Sequence, residues 1–147
     1  MKSILAELID TLGSSLHSYF VAAGVWTFPG NEAVKLALVD LVEDQRSIAD
    51  RAGRLLEEHG ETVPRPVYPI RYTATHDVDL AAMLPRVLNG LRRQIAQFDR
   101  LVDAGGPPGE IDLVREAREA SLQHADQLEE IARRGGRSGS LSPAPVS

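Results

Sequence analysis

The amino-acid sequence predicts an all-α fold, a four-helix bundle, from three observations. Apolar residues recur every three to four positions in four separate segments, the period of an amphipathic helix. No run shows the alternating β-branched pattern of a strand. Clusters of Gly, Pro and Asn stand between the segments, where helices stop. Composition agrees with one folded domain: 147 residues, 43% of them hydrophobic, suit a single core. Sixteen Lys and Arg against 21 Asp and Glu leave a net charge of −5. That balance argues against a nucleic-acid partner, which a clustered basic face would attract. With no cysteine there is no disulfide, thiolate zinc site or thiol nucleophile.

The first helix is marked by Leu5, Ile9, Leu12, Leu16, Tyr19 and Ala23, and Gly24 with Thr27-Phe28-Pro29-Gly30-Asn31 ends it. Glu7 and Asp10 interrupt its apolar stretch, so residues 1–25 read as part of the fold rather than as a leader or anchor. A cytoplasmic location and no membrane partner are the corresponding expectations. Val34, Leu38, Leu41, Gln45, Ile48, Ala52 and Leu55 form the second stripe, closed by Gly60 after His59, whose imidazole suits the C-terminal dipole. The third runs through Leu80, Leu84, Val87, Leu91, Ile95, Phe98 and Val102 to the stop GGPPG at 105–109. Pro85 inside it marks either the start of the main helix or a kink after a short first turn. His76-Asp77 precedes it, and either Asp77 or Asp79 is the expected N-cap. The fourth is marked by Leu113, Ala117, Ala120, His124, Leu128 and Ile131 and is expected to end at Gly135. From there the run GGRSGSLSPAPVS has almost nothing to bury. The expected division is therefore a bundle over 1–134 and a flexible tail over 135–147.

Loop lengths set the topology. Short connections make helices one and two, and helices three and four, antiparallel neighbours. The segment ETVPRPVYPIRYTATHD between helices two and three can span about 55 Å at roughly 3.3 Å per residue. A helix of this size is only about 39 Å long at 1.5 Å per residue. The segment can therefore cross the whole bundle and set helix three parallel to helix two.

With this order, and with the phrases LHSYFVAAGVW, ADRAGRLLEEHG and HADQLEEI on helices one, two and four, the chain resembles the ferritin-like superfamily. It is nearest in pattern to bacterioferritin-type subunits, over about residues 3–133. The resemblance implies an up-down-down-up order with one long crossover. It also implies a diiron centre built from a Glu on helix one, a Glu on helix three, and Glu-x-x-His on helices two and four. Carried over residue by residue, that centre is degenerate. The helix-one Glu falls on Leu12, the helix-two pair on Asp44 and Ser47, and the helix-four pair on Ser121 and His124. Helix three offers only Gln94 at its inward edge. The expected function is accordingly a structural or interaction module without a complete diiron centre and without a cofactor. The alternative is a metal-binding protein or metal-dependent oxidase with an unorthodox site at His124 and Asp44, which could hold one divalent ion.

His124 lies at the centre of its stripe. Counting residues from the loop ends puts it within about 3 Å of the height of Asp44 at 1.5 Å per residue. Tyr19, Ser15 and Gln45 fall within a turn or two, so Tyr19, Gln45 and His124 are the expected core polar cluster. His17 lies about 120° from the centre of the first stripe on a wheel of 3.6 residues per turn and is expected to face outward. No Ser-His-Asp arrangement or phosphate-binding glycine loop is present in the sequence. A second apolar set, Val21 on helix one with Leu36, Val39 and Val42 on helix two, suggests a homodimer through Val21, Val39 and Val42. Ala6, Gly13 and Gly24 would permit close approach of the second copy. Alternatively the crossover covers this surface with Val67, Tyr68, Ile70 and Tyr72. The tail, whose GSL resembles encapsulin targeting peptides, is the other candidate contact for a protein partner.

Overall fold

The computed structural model describes residues 3–23, 32–69, 72 and 80–141. All regular structure among them is helical: α1 (Ile4–Gly13), α2 (Leu16–Ala23), α3 (Glu32–Glu58), α4 (Leu80–Ala104) and α5 (Pro108–Leu141). No helix among the described residues is long and apolar enough to cross a membrane. The expected ends at Gly24 and Thr27–Asn31, the cap at His76-Asp77 and Asp79, and Ile70 lie outside the described residues.

The first expected helix is two helices. Gly13-Ser14-Ser15 interrupts it, a Gly/Ser site of the kind that kinks helices. The Ser14 N–H and hydroxyl both donate to the Asp10 carbonyl, at 3.2 and 2.6 Å. Ser15 then caps α2, its hydroxyl accepting from the Ser18 N–H at 3.1 Å. At the start of α1, Ser3 does the same for Ala6. The Thr11 carbonyl, orphaned by the break, accepts from Nε2 of Gln94 on α4 at 2.7 Å.

The other ends follow the sequence more closely. Gly60, at φ 74°, closes α3 in a Schellman turn, with Gly60 N–H on Glu57 and Glu61 N–H on Leu56, both at 2.9 Å. Gly105, at φ 78°, closes α4, and Pro108 occupies the first position of α5, where its missing N–H costs nothing. Pro85 sits inside α4, five residues after its start at Leu80. The helix α5 continues to Leu141, past the stop expected at Gly135. Its glycines cost about 1 kcal/mol each relative to Ala, which makes this end its weakest part without forbidding helix.

Contacts pair α1 with α3, α3 with α5, α5 with α4, and both α1 and α2 with α4. Bonds between helices fix their senses. Asp44 with His124 and Arg51 with Glu116 make α3 antiparallel to α5. Arg92 with Glu129 and Asp99 with Arg118 do the same for α4 and α5. The segment after α3 rises along the other helices. Val63 packs 3.6 Å from where a Cβ on Gly53 would stand, and the Pro66 ring fills the space a Cβ on Gly13 would need. Tyr68 then reaches Ser18 with its hydroxyl at 3.3 Å, and Tyr72 packs against the core around Phe20 and Leu38.

The core is divided. One apolar cluster holds Phe20, Leu38, Leu41, Val87, Leu91 and Leu128 with their neighbours. The other holds Leu5, Leu8, Leu12, Ile48, Leu56, Phe98 and Val114 with theirs. Each fully buried side chain of this size contributes roughly 1.5–3 kcal/mol. Between the clusters lies a polar layer.

Candidate functional site

Four buried side chains make the layer: His17 from α2, Gln45 from α3, Gln94 from α4 and Ser121 from α5. Gln45, Gln94 and Ser121 fall where their helices pass from one apolar cluster to the other, and His17 lies in the first turn of α2, just after the break from α1. Gln45 organises it. Its amide nitrogen donates to Gln94 Oε1 at 3.0 Å and to Ser121 Oγ at 3.3 Å. Its oxygen is thereby the acceptor for Nε2–H of His17 at 2.9 Å. This assigns the Nε2–H tautomer to His17 and leaves its Nδ1 lone pair buried without a partner among the described residues. Burial is the main cause that lowers the His17 pKa to about 4. The Gln45 hydrogen bond opposes that shift, and the nearby His124 adds to it. The imidazole is therefore neutral at pH 7.

His17 corrects the expectation that it faces outward, for it is 0% exposed. A helical wheel drawn through residues 3–23 assumes one continuous helix, and the break at Ser14-Ser15 resets the angle for everything after it. Gly13-Ser14-Ser15 was the available signal. On α3 the inward residue is Gln45, whereas the Asp44 side chain is 59% exposed and Ser47 is exposed. The metal positions carried over onto α3 thus lie one residue, about 100° of helix, off the inward face. Leu12 is in the apolar cluster of Leu5, Leu8 and Phe98.

His124 and Asp44 do meet, as the height estimate expects. Nε2 of His124 lies 2.5 Å from Asp44 Oδ2, at the edge of the bundle rather than in its centre. Of the expected cluster of Tyr19, Gln45 and His124, only Gln45 is in the polar layer. Tyr19 belongs to an aromatic group, with ring centroids 5.2 Å from Tyr68 and 5.6 Å from Tyr72. Among the described residues no three His, Asp or Glu side chains are grouped to hold a metal ion. The arrangement can relay hydrogen bonds across the core, and its amides and hydroxyl carry no charge to balance a metal.

The proposed dimer face is also altered. Val42 is 1% exposed within the chain itself, so it has no area to lose to a partner. Gly13 already receives Pro66. Val21 and Val39 stay partly exposed, and Leu36 is 65% exposed. In the crossover Val67 is exposed, and Tyr68 and Tyr72 pack against Tyr19 of α2.

Compared with known proteins, the chain matches no family model, no curated protein and no solved structure.

Proposed function

We propose that the chain is a ferritin-like four-helix bundle, with α1 and α2 as two pieces of its first helix, that works as a structural or interaction module without a complete diiron centre. The topology is supported by the senses of the helices: α3 and α4 are each antiparallel to α5, hence parallel to one another. A crossover that touches Gly53, then Gly13, then Ser18 supports it further.

One observation carries the functional reading. The middle of the bundle holds an imidazole, two amides and a hydroxyl bonded to one another. A diiron centre needs bridging carboxylates there to balance two cations, so the residues present do not fit that group. A polar layer in which Gln45 bonds His17, Gln94 and Ser121 instead favours one register of the helices, because sliding any helix would strand further buried groups besides the His17 Nδ1. In this reading the interaction face is the outer side of α3 around Leu36 and Val39. A second copy docking there gives a homodimer that Leu36→Glu converts to monomer by light scattering.

The test is elemental analysis of protein purified without chelator, paired with an iron-oxidation assay. Substoichiometric metal and no rapid oxidation are expected. Two metal equivalents per chain, lost in His124→Ala while the fold persists, would favour the alternative, a metal-binding protein or oxidase. The observation on that side is the direct His124–Asp44 contact.

A further inference from the structure

We infer that the cleft between the α1–α2 break and α4 is a binding site for a small organic phosphomonoester. The cleft measures about 840 Å³ and is lined on one wall by Arg86, Gly90 and Arg93 of α4 and on the other by Ser14, Ser15 and Leu16, with Tyr72 at its margin. Its volume is that of small-molecule sites, roughly 300–1,000 Å³. The proposal stands apart from the metal question, since the cleft requires no metal and none of the groups at His124.

Charge points to an anion. The chain carries a net charge of −5, yet no acidic side chain lines this cleft among the described residues. Several arginines elsewhere are matched, Arg51 to Glu116, Arg92 to Glu129, Arg118 to Asp99 and Arg133 to Glu130. Among the described residues Arg86 and Arg93 meet no carboxylate. They stand seven residues apart on one face of α4, about 10.5 Å along the axis at 1.5 Å per residue, so that two long side chains can converge on one dianion. Opposite them the chain leaves α1 and starts α2, with Ser15, the cap of α2, on the cleft wall beside Ser14, whose hydroxyl donates to the Asp10 carbonyl. Helix starts of this kind favour negative charge.

Gly90 is the second, independent observation. It lies between the two arginines inside a long helix, where glycine is unfavourable relative to alanine. A Cβ built on it meets nothing within 4 Å, so packing within the chain does not require glycine there. The open space beside it is the floor of the cleft, which suits close approach of a ligand to the helix backbone. Tyr72 and Leu16 add an aromatic and an aliphatic surface, which is why the ligand is assigned an organic body as well as a phosphate.

The experiment is calorimetric titration of the full chain with phenyl phosphate, inorganic phosphate and phenol, alongside thermal melts. Phenyl phosphate is expected to bind and raise the melting temperature, inorganic phosphate to bind more weakly, and phenol not to bind at millimolar concentration. Arg86→Gln and Arg93→Gln should each weaken phenyl phosphate by about tenfold while leaving the ligand-free melting temperature unchanged, since both side chains are exposed. Gly90→Ala should raise the ligand-free melting temperature and weaken binding, a combination that a purely structural glycine would not give. Equal affinity for inorganic and phenyl phosphate would overturn the organic body and leave a phosphate site. Absence of binding by both, or binding that survives the double arginine variant, would overturn the proposal.

Discussion

Two histidines from different helices meet opposite surroundings in this bundle. His17 is enclosed between the two apolar clusters, donates to the Gln45 amide and takes a proton only when the pH falls to about 4. His124, one layer outward, meets the carboxylate of Asp44, most of whose side chain is in water. The difference shows how the chain distributes polarity. In the centre, where a charge would lose its hydration, every group of the layer is neutral and the bonds are amide and imidazole bonds. At the edge, where water still solvates the carboxylate, the chain places an acidic partner. The centre should therefore respond to the loss of hydrogen-bond partners and to pH, and the edge to charge and salt.

The largest effect is expected from Gln45→Leu. This residue holds His17, Gln94 and Ser121 together, and leucine would leave the His17 Nε2–H and the Gln94 carbonyl oxygen buried without their partner. Each stranded group costs about 1–3 kcal/mol, so a loss of about 3–4 kcal/mol in urea unfolding is expected. A loss below about 1 kcal/mol would mean that the layer relaxes or admits water, and the contrast between centre and edge would collapse.

Acid should act on the centre almost as strongly. The His17 pKa is lowered in the folded chain from 6.5 to about 4. Between those values the unfolded chain binds a proton that the folded chain refuses. Stability from this group is thus complete above pH 6.5 and is lost as the pH falls toward 4, by about 3 kcal/mol at 1.36 kcal/mol per pKa unit. Comparing wild type with His17→Gln across that window isolates the contribution, because all other groups titrate in both. Parallel stability curves for the two proteins would show that His17 is not held neutral by burial.

His124→Ala comes next, at about 1–2 kcal/mol, since it opens a cavity near the surface and leaves Asp44 in water rather than stranded. Urea unfolding at neutral pH measures it, and a loss as large as that of Gln45→Leu would move His124 into the centre.

What the sequence revealed and what it hid divide along the same line. The periodic stripes located the helices, because burial repeats with the helical period wherever the helix is unbroken, as along Leu38, Leu41, Gln45 and Ile48. Heights along the axis were equally readable, and they brought His124 to Asp44. Angles were not. The break at Ser14-Ser15 turned His17 inward, and no wheel that runs through it can show this. On α3 the stripe itself placed Gln45 and Ile48 inward, and only the positions carried over from the resemblance, Asp44 and Ser47, fall one residue off it. Val42 was misread as outer surface for a related reason: a buried stripe on α3 wider than one row takes in residues that a single line of positions leaves out.

The smallest effect, and the one that tests the edge most directly, is expected from Asp44→Asn. Asparagine keeps a carbonyl oxygen where the carboxylate accepts from His124, so the hydrogen bond can persist and mainly the charge is removed. The Asp44 side chain is 59% exposed, so its attraction to the imidazole is weakened by water and by salt. A loss of about 0.3–1 kcal/mol at low ionic strength is expected, shrinking as salt rises to about 0.5 M, where screening acts over only a few ångströms. The Gln45→Leu loss should not shrink in parallel, because no net charge is involved there. If instead Asp44→Asn costs as much as Gln45→Leu and the cost is indifferent to salt, then the carboxylate is held in a water-poor site. His17 and His124 would then belong to one buried network rather than to a neutral centre and a charged edge.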